Sequence, residues 1–169
     1  MSNTKKSLSE TEGIPSGKGL RVGIVLSEWN NDITELLLDG CKGALVQFDV
    51  SPEDIIVSKV PGAFELPLGA KWIASSTKLD AIICIGCVIK GETKHDEFIA
   101  IAVSNAIMNL NLVLNIPVIF GVLTPKNHKQ ALERSGGKYG NKGVEAATTA
   151  IRMIHLKKEL TKSDKKIGF

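Results

Sequence analysis

The run Ala81 to Ile89, AIICIGCVI, constrains what this chain can fold into more than any other stretch. A strand that is apolar at nearly every position, rather than at every second one, has cover on both faces. The run therefore predicts a central strand of a sheet sandwiched between helices. It ends in a glycine turn, GETKH, which delivers His95 to the start of a helix.

The flanking residues extend the pattern. Leu20 to Ser27 (LRVGIVLS), Asp54 to Val60 (DIIVSKV) and Pro117 to Thr124 (PVIFGVLT) read as three further strands. The second stops at Pro61-Gly62, because proline has no N–H for a central ladder. Between Asp32 and Phe48, the apolar residues Ile33, Leu36, Leu37, Cys41, Ala44, Leu45 and Phe48 recur at threes and fours and form one core-facing stripe, with Asn31 or Asp32 as its cap. Ala63 to Ser75 reads as a second helix, beginning nearer Glu65 because Pro67 belongs in a first turn. Thr93 to Asn115 is the longest helical pattern, and Thr93 with Asp96 has the spacing of a capping box. Helices over about 126–134 and 142–160 follow, separated by the glycine-rich SGGKYGNKG. Alternating strands and helices imply right-handed crossovers and a three-layer α/β/α fold, with a mostly parallel four-stranded sheet doubly wound in the flavodoxin-like manner.

Composition bounds the rest. A chain of 169 residues with 43% apolar and 23% charged residues predicts one ordinary core, here a single α/β domain over residues 20–160. Residues 1–19, polar and rich in Ser, Gly and Lys, read as a flexible segment without the hydrophobic stretch of a secretory signal, and 161–169 as a polar tail. The apolar segments read as far short of the roughly 20 residues that span a membrane. Cys41, Cys84 and Cys87 are odd in number and set in apolar surroundings, the usage of a reduced compartment, so the expected location is cytoplasmic. The net charge is only +3, with lysines gathered at Lys157, Lys158, Lys162, Lys165 and Lys166, which reads as a solvated end and not a nucleic-acid face.

Several chemistries lack their sequence signals. No G-x-G-x-x-G follows the first strand and no G-x-x-x-x-G-K-[ST] occurs, so neither a dinucleotide nor a nucleoside triphosphate is expected. Cys84-Ile-Gly-Cys87 has redox spacing but lies inside the apolar strand, away from any helix start that would favour a thiolate. His95, His128 and His155 are widely separated, and no Cys/His set has zinc spacing; no metal is expected.

Ligands of open α/β sheets bind where loops leave the carboxyl ends of the strands. His95 stands there, either as an exposed helix-start residue or as a proton carrier beside N–H groups that can hold an anion. Trp29 and Asn30 follow the first strand, with Trp29 either a rim aromatic or a platform for a flat heterocycle. Phe64 and Glu65 follow the second; Glu65 either answers the helix dipole or accepts hydrogen bonds from a ligand. Arg134, Lys138 and Lys142 surround the glycine-rich loop, as a solvated helix end or as a forked phosphate clamp.

Five blocks in register, SEWN (27–30), VPGAFELP (60–67), GCVIKGETKH (86–95), PVIFGVLT (117–124) and ERSGGKYGNKG (133–143), resemble the 6,7-dimethyl-8-ribityllumazine synthase family over about residues 20–157. The resemblance implies condensation of 5-amino-6-(D-ribitylamino)uracil with 3,4-dihydroxy-2-butanone 4-phosphate, releasing phosphate and water, in riboflavin biosynthesis, without metal or cofactor. It implies Trp29, Asn30, Ala63, Phe64, Glu65, Cys87, Val88, Ile89, Phe120 and Lys142 around the pyrimidine and ribityl chain. Gly91, Glu92, Thr93 and Arg134 would hold the phosphate, and His95 would move protons. Phe120, Arg134 and Lys142 would reach the pocket from a neighbouring subunit.

The family also implies a homo-oligomer, a pentamer, with a 60-subunit icosahedral shell favoured here by the short 136–142 segment, and riboflavin synthase as a partner. Three positions depart from the commoner pattern: Trp29 for phenylalanine, Lys90 for arginine, and Glu92 beside the phosphate. A carboxylate aimed at phosphate repels it, so Glu92 is expected to face away and offer only its N–H. The rival reading is a non-catalytic α/β module that binds a flavin or lumazine, which would need neither His95 nor Arg134.

Overall fold

Four parallel strands, β1 (Val22–Ser27), β2 (Ile55–Val60), β3 (Ala81–Cys87) and β4 (Val118–Leu123), stand side by side in the order β2-β1-β3-β4. The computed structural model describes residues 13–164. Every residue of β1 and β3 is buried, as the unbroken apolar run requires. Successive side chains alternate between faces. Ala81, Ile83, Ile85 and Cys87 enter one core with α1 (Asn31–Gln47) and α5 (Lys142–Asp164), whereas Ile82 and Cys84 enter the other with α2 (Leu66–Ser76) and α3 (His95–Leu114). The expected three-layer, doubly wound arrangement is the one observed.

Local departures have local causes. The α1 stripe uses Leu38 rather than Leu36, which is turned outward. Its cap is Asn30, not Asn31 or Asp32; Asn30 sits in the left-handed region and gives no side-chain cap bond. A short 3₁₀ turn, Ala63–Glu65, precedes α2, and the helix proper starts one residue before Pro67. The Thr93/Asp96 pair does not close a reciprocal capping box. Thr93 Oγ1 accepts from the His95 N–H, and Asp96 Oδ1 reaches past the cap to the Gly91 N–H. Helix α4 (His128–Arg134) starts later than Lys126 because the Asn127 side chain caps it, accepting from the Gln130 N–H at 2.9 Å.

Residues 13–19, read from sequence as part of a flexible start, are tied down. Ile14 packs on the core, the Gly17 N–H donates to the Phe48 carbonyl, and Ser16 bonds Asp49 through its hydroxyl and His155 through its carbonyl. The rest of that segment, and positions 165–169 of the expected polar tail, lie outside the described residues; 161–164 continue α5. By length and composition alone helix α3, 20 residues long, could cross a membrane, although it holds no unbroken apolar run of that length. Val103 and Ile107 hold it to the sheet, and Asn111 bonds both backbone groups of Val118.

The glycine-rich segment is not merely a loop. Ser135–Gly137 and Gly140–Asn141 form a small antiparallel ladder, β5 and β6, turned at Gly136 and Gly140 with φ 123° and 77°. Asn141 fastens it: the amide donates to the carbonyls of Leu36 and Ser135, and the oxygen accepts from the Gly143 N–H at 2.7 Å. Helix α5 can start there only because Gly143 lets the backbone press on α1; a Cβ at Gly143 would overlap the Leu37 carbonyl. Gly143→Ala should therefore cost about 2–3 kcal/mol and lower the thermal midpoint by roughly 5–10 °C at matched protein concentration. Calorimetry of the variant checks this.

Candidate active site

The carboxyl ends of β1, β2 and β3 are laced together before any side chain reaches solvent. The Glu28 N–H donates to the Val60 carbonyl at 2.9 Å, and the Trp29 N–H to the Pro61 carbonyl at 3.1 Å. The Asn30 amide donates to the Cys87 carbonyl at 2.8 Å. Asn30 adopts φ 57°, ψ 48°, a left-handed conformation that asparagine tolerates better than most residues. The turn thereby pivots out of β1 and into α1, whose Ile33 and Thr34 N–H groups both point at the Asn30 carbonyl. Trp29 is left standing at the rim, 72% exposed.

A cleft of about 1070 Å³ opens beside it. Trp29, Asn30, Ala63, Phe64, Glu65, Cys87, Val88, Ile89, Gly91, Thr93 and His95 all line it, so most of the residues singled out from sequence share one concavity. They arrive in groups from different elements: the β1–α1 turn, the 3₁₀ turn after β2, the end of β3 with the turn that follows it, and the first turn of α3. Phe64 is exposed, Ala63 is buried beneath it, and Glu65 opens the helix that follows. Glu92, between Gly91 and Thr93, is exposed and is not part of the wall. Sequence reasoning missed Gly62, Asp96, Phe98, Ile99 and Ala102, which complete the lining; helical spacing from His95 could have found the last three.

Several polar groups here already have partners. The Val88 N–H donates to the Leu123 carbonyl at 2.8 Å and the Lys90 N–H to the Pro125 carbonyl at 3.0 Å, which carries the chain from β3 into the turn at fixed height. Burial, and secondarily the Asp32 carboxylate, pushes the Cys87 thiol up to about 12, so it stays protonated at neutral pH. Cys84 is pushed up to about 12 by burial alone. The two belong to opposite faces of β3 and to separate cores, a placement that removes the redox reading of their spacing.

The remaining candidates stand elsewhere. Phe120, on the edge strand β4, and Arg134 and Lys142 line a second cleft of about 910 Å³ between α3, β4 and α5. Phe120 is 42% exposed. The Arg134 guanidinium lies 4.9 Å from the centre of the Tyr139 ring, and the Lys142 ammonium pairs with Glu145 at 2.7 Å. Within one protomer, then, the aromatic and histidine group and the cationic group are two sites rather than one. Among the described residues, no group of three or more His, Cys, Asp or Glu side chains is placed to hold a metal ion.

The sequence has clear relatives. Residues 19–158 match the family model described as 6,7-dimethyl-8-ribityllumazine synthase. A protein of that name from Cytophaga hutchinsonii is 51% identical over 155 residues, covering 91% of this chain and 98% of the relative. One from Parabacteroides distasonis is 45% identical over 157 residues, 92% of this chain and 98% of its own. A third, from Flavobacterium johnsoniae, is 48% identical over 161 residues, covering 94% and 85%.

The β1–α1 turn generates a test that needs no ligand. Asn30→Ala loses both the tolerance for positive φ and the bond to Cys87, and should cost about 2 kcal/mol; Asn30→Gly loses only the bond and should cost about 1 kcal/mol. Urea unfolding of the two variants measures the difference, and equal losses would refute the backbone part of the account.

Proposed function

The chain belongs to the 6,7-dimethyl-8-ribityllumazine synthase family, and from that premise we propose that it works through the two clefts described above, brought together from adjacent subunits. It is a transferase of riboflavin biosynthesis that condenses 5-amino-6-(D-ribitylamino)uracil with 3,4-dihydroxy-2-butanone 4-phosphate, releasing phosphate and water. The observation that carries the proposal is the division of the candidate residues: Trp29, Phe64 and His95 line one concavity, and Phe120, Arg134 and Lys142 line another.

Trp29 stacks on the pyrimidine, with Phe64 and a neighbour's Phe120 closing around it. Glu65 and Asn30 lie along the ribityl side, although the Asn30 amide serves first to hold Cys87. Main-chain groups of Val88 and Ile89 meet the ring edge. The backbone N–H groups of Gly91, Glu92 and Thr93, at the positive end of α3, receive the phosphate, and Arg134 from the adjoining protomer neutralises it. Lys142 faces the same space once Glu145 releases it.

The chemistry asks little of the protein beyond placement. The uracil amine adds to the ketone and loses water to give an imine; phosphate leaves by elimination; the ribitylamino nitrogen closes the ring with loss of a second water. Each bond formed is intrinsically reactive, so holding two substrates together supplies much of the acceleration. His95 carries protons between steps and adds a smaller factor.

We further propose a pentamer in which the exposed apolar residues of α3, Phe98, Ile101, Met108, Leu112 and Val113, are covered by neighbouring subunits, with twelve pentamers forming a shell. A face of this size and polarity is unusual on a free monomer. We propose a cytoplasmic location, which the three buried free cysteines support, and riboflavin synthase as a partner.

Mixing both substrates with the protein should generate the lumazine chromophore, which a binding module would not produce. His95→Ala should lower kcat by about 10- to 100-fold with little change in either KM, and Arg134→Ala should raise the KM of the phosphate substrate by at least about tenfold. Full activity of the first variant, or an unchanged KM in the second, removes the role assigned. Light scattering should give a mass of 5 or 60 chains; an active monomer would contradict the shared site.

A further inference from the structure

The acid in the first turn of α3 occupies a backbone donor at the edge of the first cleft. Asp96 lines the first cleft, is half-buried, and its Oδ1 accepts from the Gly91 N–H at 3.3 Å. Gly91 is otherwise bare on that side: a Cβ built there would have only Asp96 Oδ1 within reach, at 4.0 Å. The neighbouring bond, from the His95 N–H to Thr93 Oγ1, is also long at 3.4 Å. Both exceed the usual 2.9–3.0 Å for N–H to oxygen, so both are weak and exchangeable.

We propose that Asp96 is a built-in competitor of the substrate phosphate, a residue that sets how tightly this site holds an anion. The proposal rests on the reading of Gly91 to Thr93 as the phosphate cradle. With the cleft empty, the carboxylate satisfies the Gly91 N–H and answers the positive end of α3, as a phosphate would. One N–H cannot serve two anions at full strength, and two negative groups a few ångströms apart repel. The arriving phosphate ester displaces the carboxylate from Gly91. After elimination, the freed phosphate has lost the carbon skeleton that anchored it, and the returning carboxylate takes back the donor and helps to expel it. Glu92 cannot act in this way, because it stands outside the wall of the cleft.

Asp96→Asn separates charge from shape, since the amide oxygen can still accept from Gly91. Inorganic phosphate is titrated into full-length assembled protein, and its inhibition is measured against the butanone phosphate. In the variant, phosphate should bind roughly three- to tenfold more tightly, the scale of one unit-charge repulsion in partly solvated surroundings. The KM of the phosphate substrate should fall by a similar factor, with the KM of the uracil unmoved. Asp96→Ser, which keeps a small oxygen near the helix start, should shift phosphate affinity in the same direction and covers the case in which the first variant misfolds. Unchanged or weaker phosphate binding in the folded variants would show that Asp96 only shapes the loop, and would overturn the proposal. Wild-type protein that makes lumazine without competition from phosphate would overturn the cradle and this proposal together. Wild-type protein that makes no lumazine, while the variants still tighten phosphate, would count against the function alone.

Discussion

Everything at the site depends on parallel pairing of strands that are buried on both faces. In a parallel sheet every strand points the same way, so all the loops that leave carboxyl ends emerge along one edge. The registers Ser27↔Val60 and Cys87↔Leu123 bring those ends to nearly one level. The backbone bonds from Glu28, Trp29 and Val88 then carry the ladder beyond the last strand residues. Helices on both sides shut water out of the ladder, so the edge is a rigid rim from which short turns can present groups with little slack. Disturbing the sheet would move every wall of the cleft at once.

Much of the site is consequently main chain. The turn after β3 offers N–H groups, the turn after β1 is held by an asparagine amide, and the side chains that reach the cleft are few and mostly aromatic or apolar. This suits a reaction between two mutually reactive substrates, where orientation counts for more than an array of acids and bases. It also makes anion affinity sensitive to single charges. Asp96 already accepts from the Gly91 N–H in the first cleft, and Arg134 lies in the second, so the acidic and the basic group belong to different clefts of the protomer.

The second cleft explains why a lone protomer looks incomplete. Phe120 lies on an edge strand whose outer side has no further strand, and Arg134 is braced against Tyr139 on a small ladder fastened by Asn141. These groups are held in place without their counterparts nearby. The apolar face of α3 lies between the two clefts, since Ser104, Ile107 and Met108 border one while Phe98, Ile99 and Ala102 border the other. In the proposed assembly, association through that face is what would bring a cleft of each kind together and couple burial of apolar surface to completion of the site.

The strands, the layer order and most of the residues that line the first cleft were legible in the letters, because period and turn chemistry are local properties. The unbroken run at 81–89 required two covered faces, and Pro61-Gly62 and GETKH marked where strands had to end. Family motifs named His95, Trp29 and Phe64. What the sequence alone could not determine was which partner each polar group takes. Asn30 bonding Cys87 across 57 residues, Asn141 joining α1 to the hairpin across 105, and Asp96 turning back to Gly91 rather than closing a capping box are choices among donors and acceptors that only the folded chain brings within reach. Likewise, only tertiary structure separated Phe120 and Arg134 from His95, because their distance depends on how β4 and α5 pack and not on any spacing along the chain.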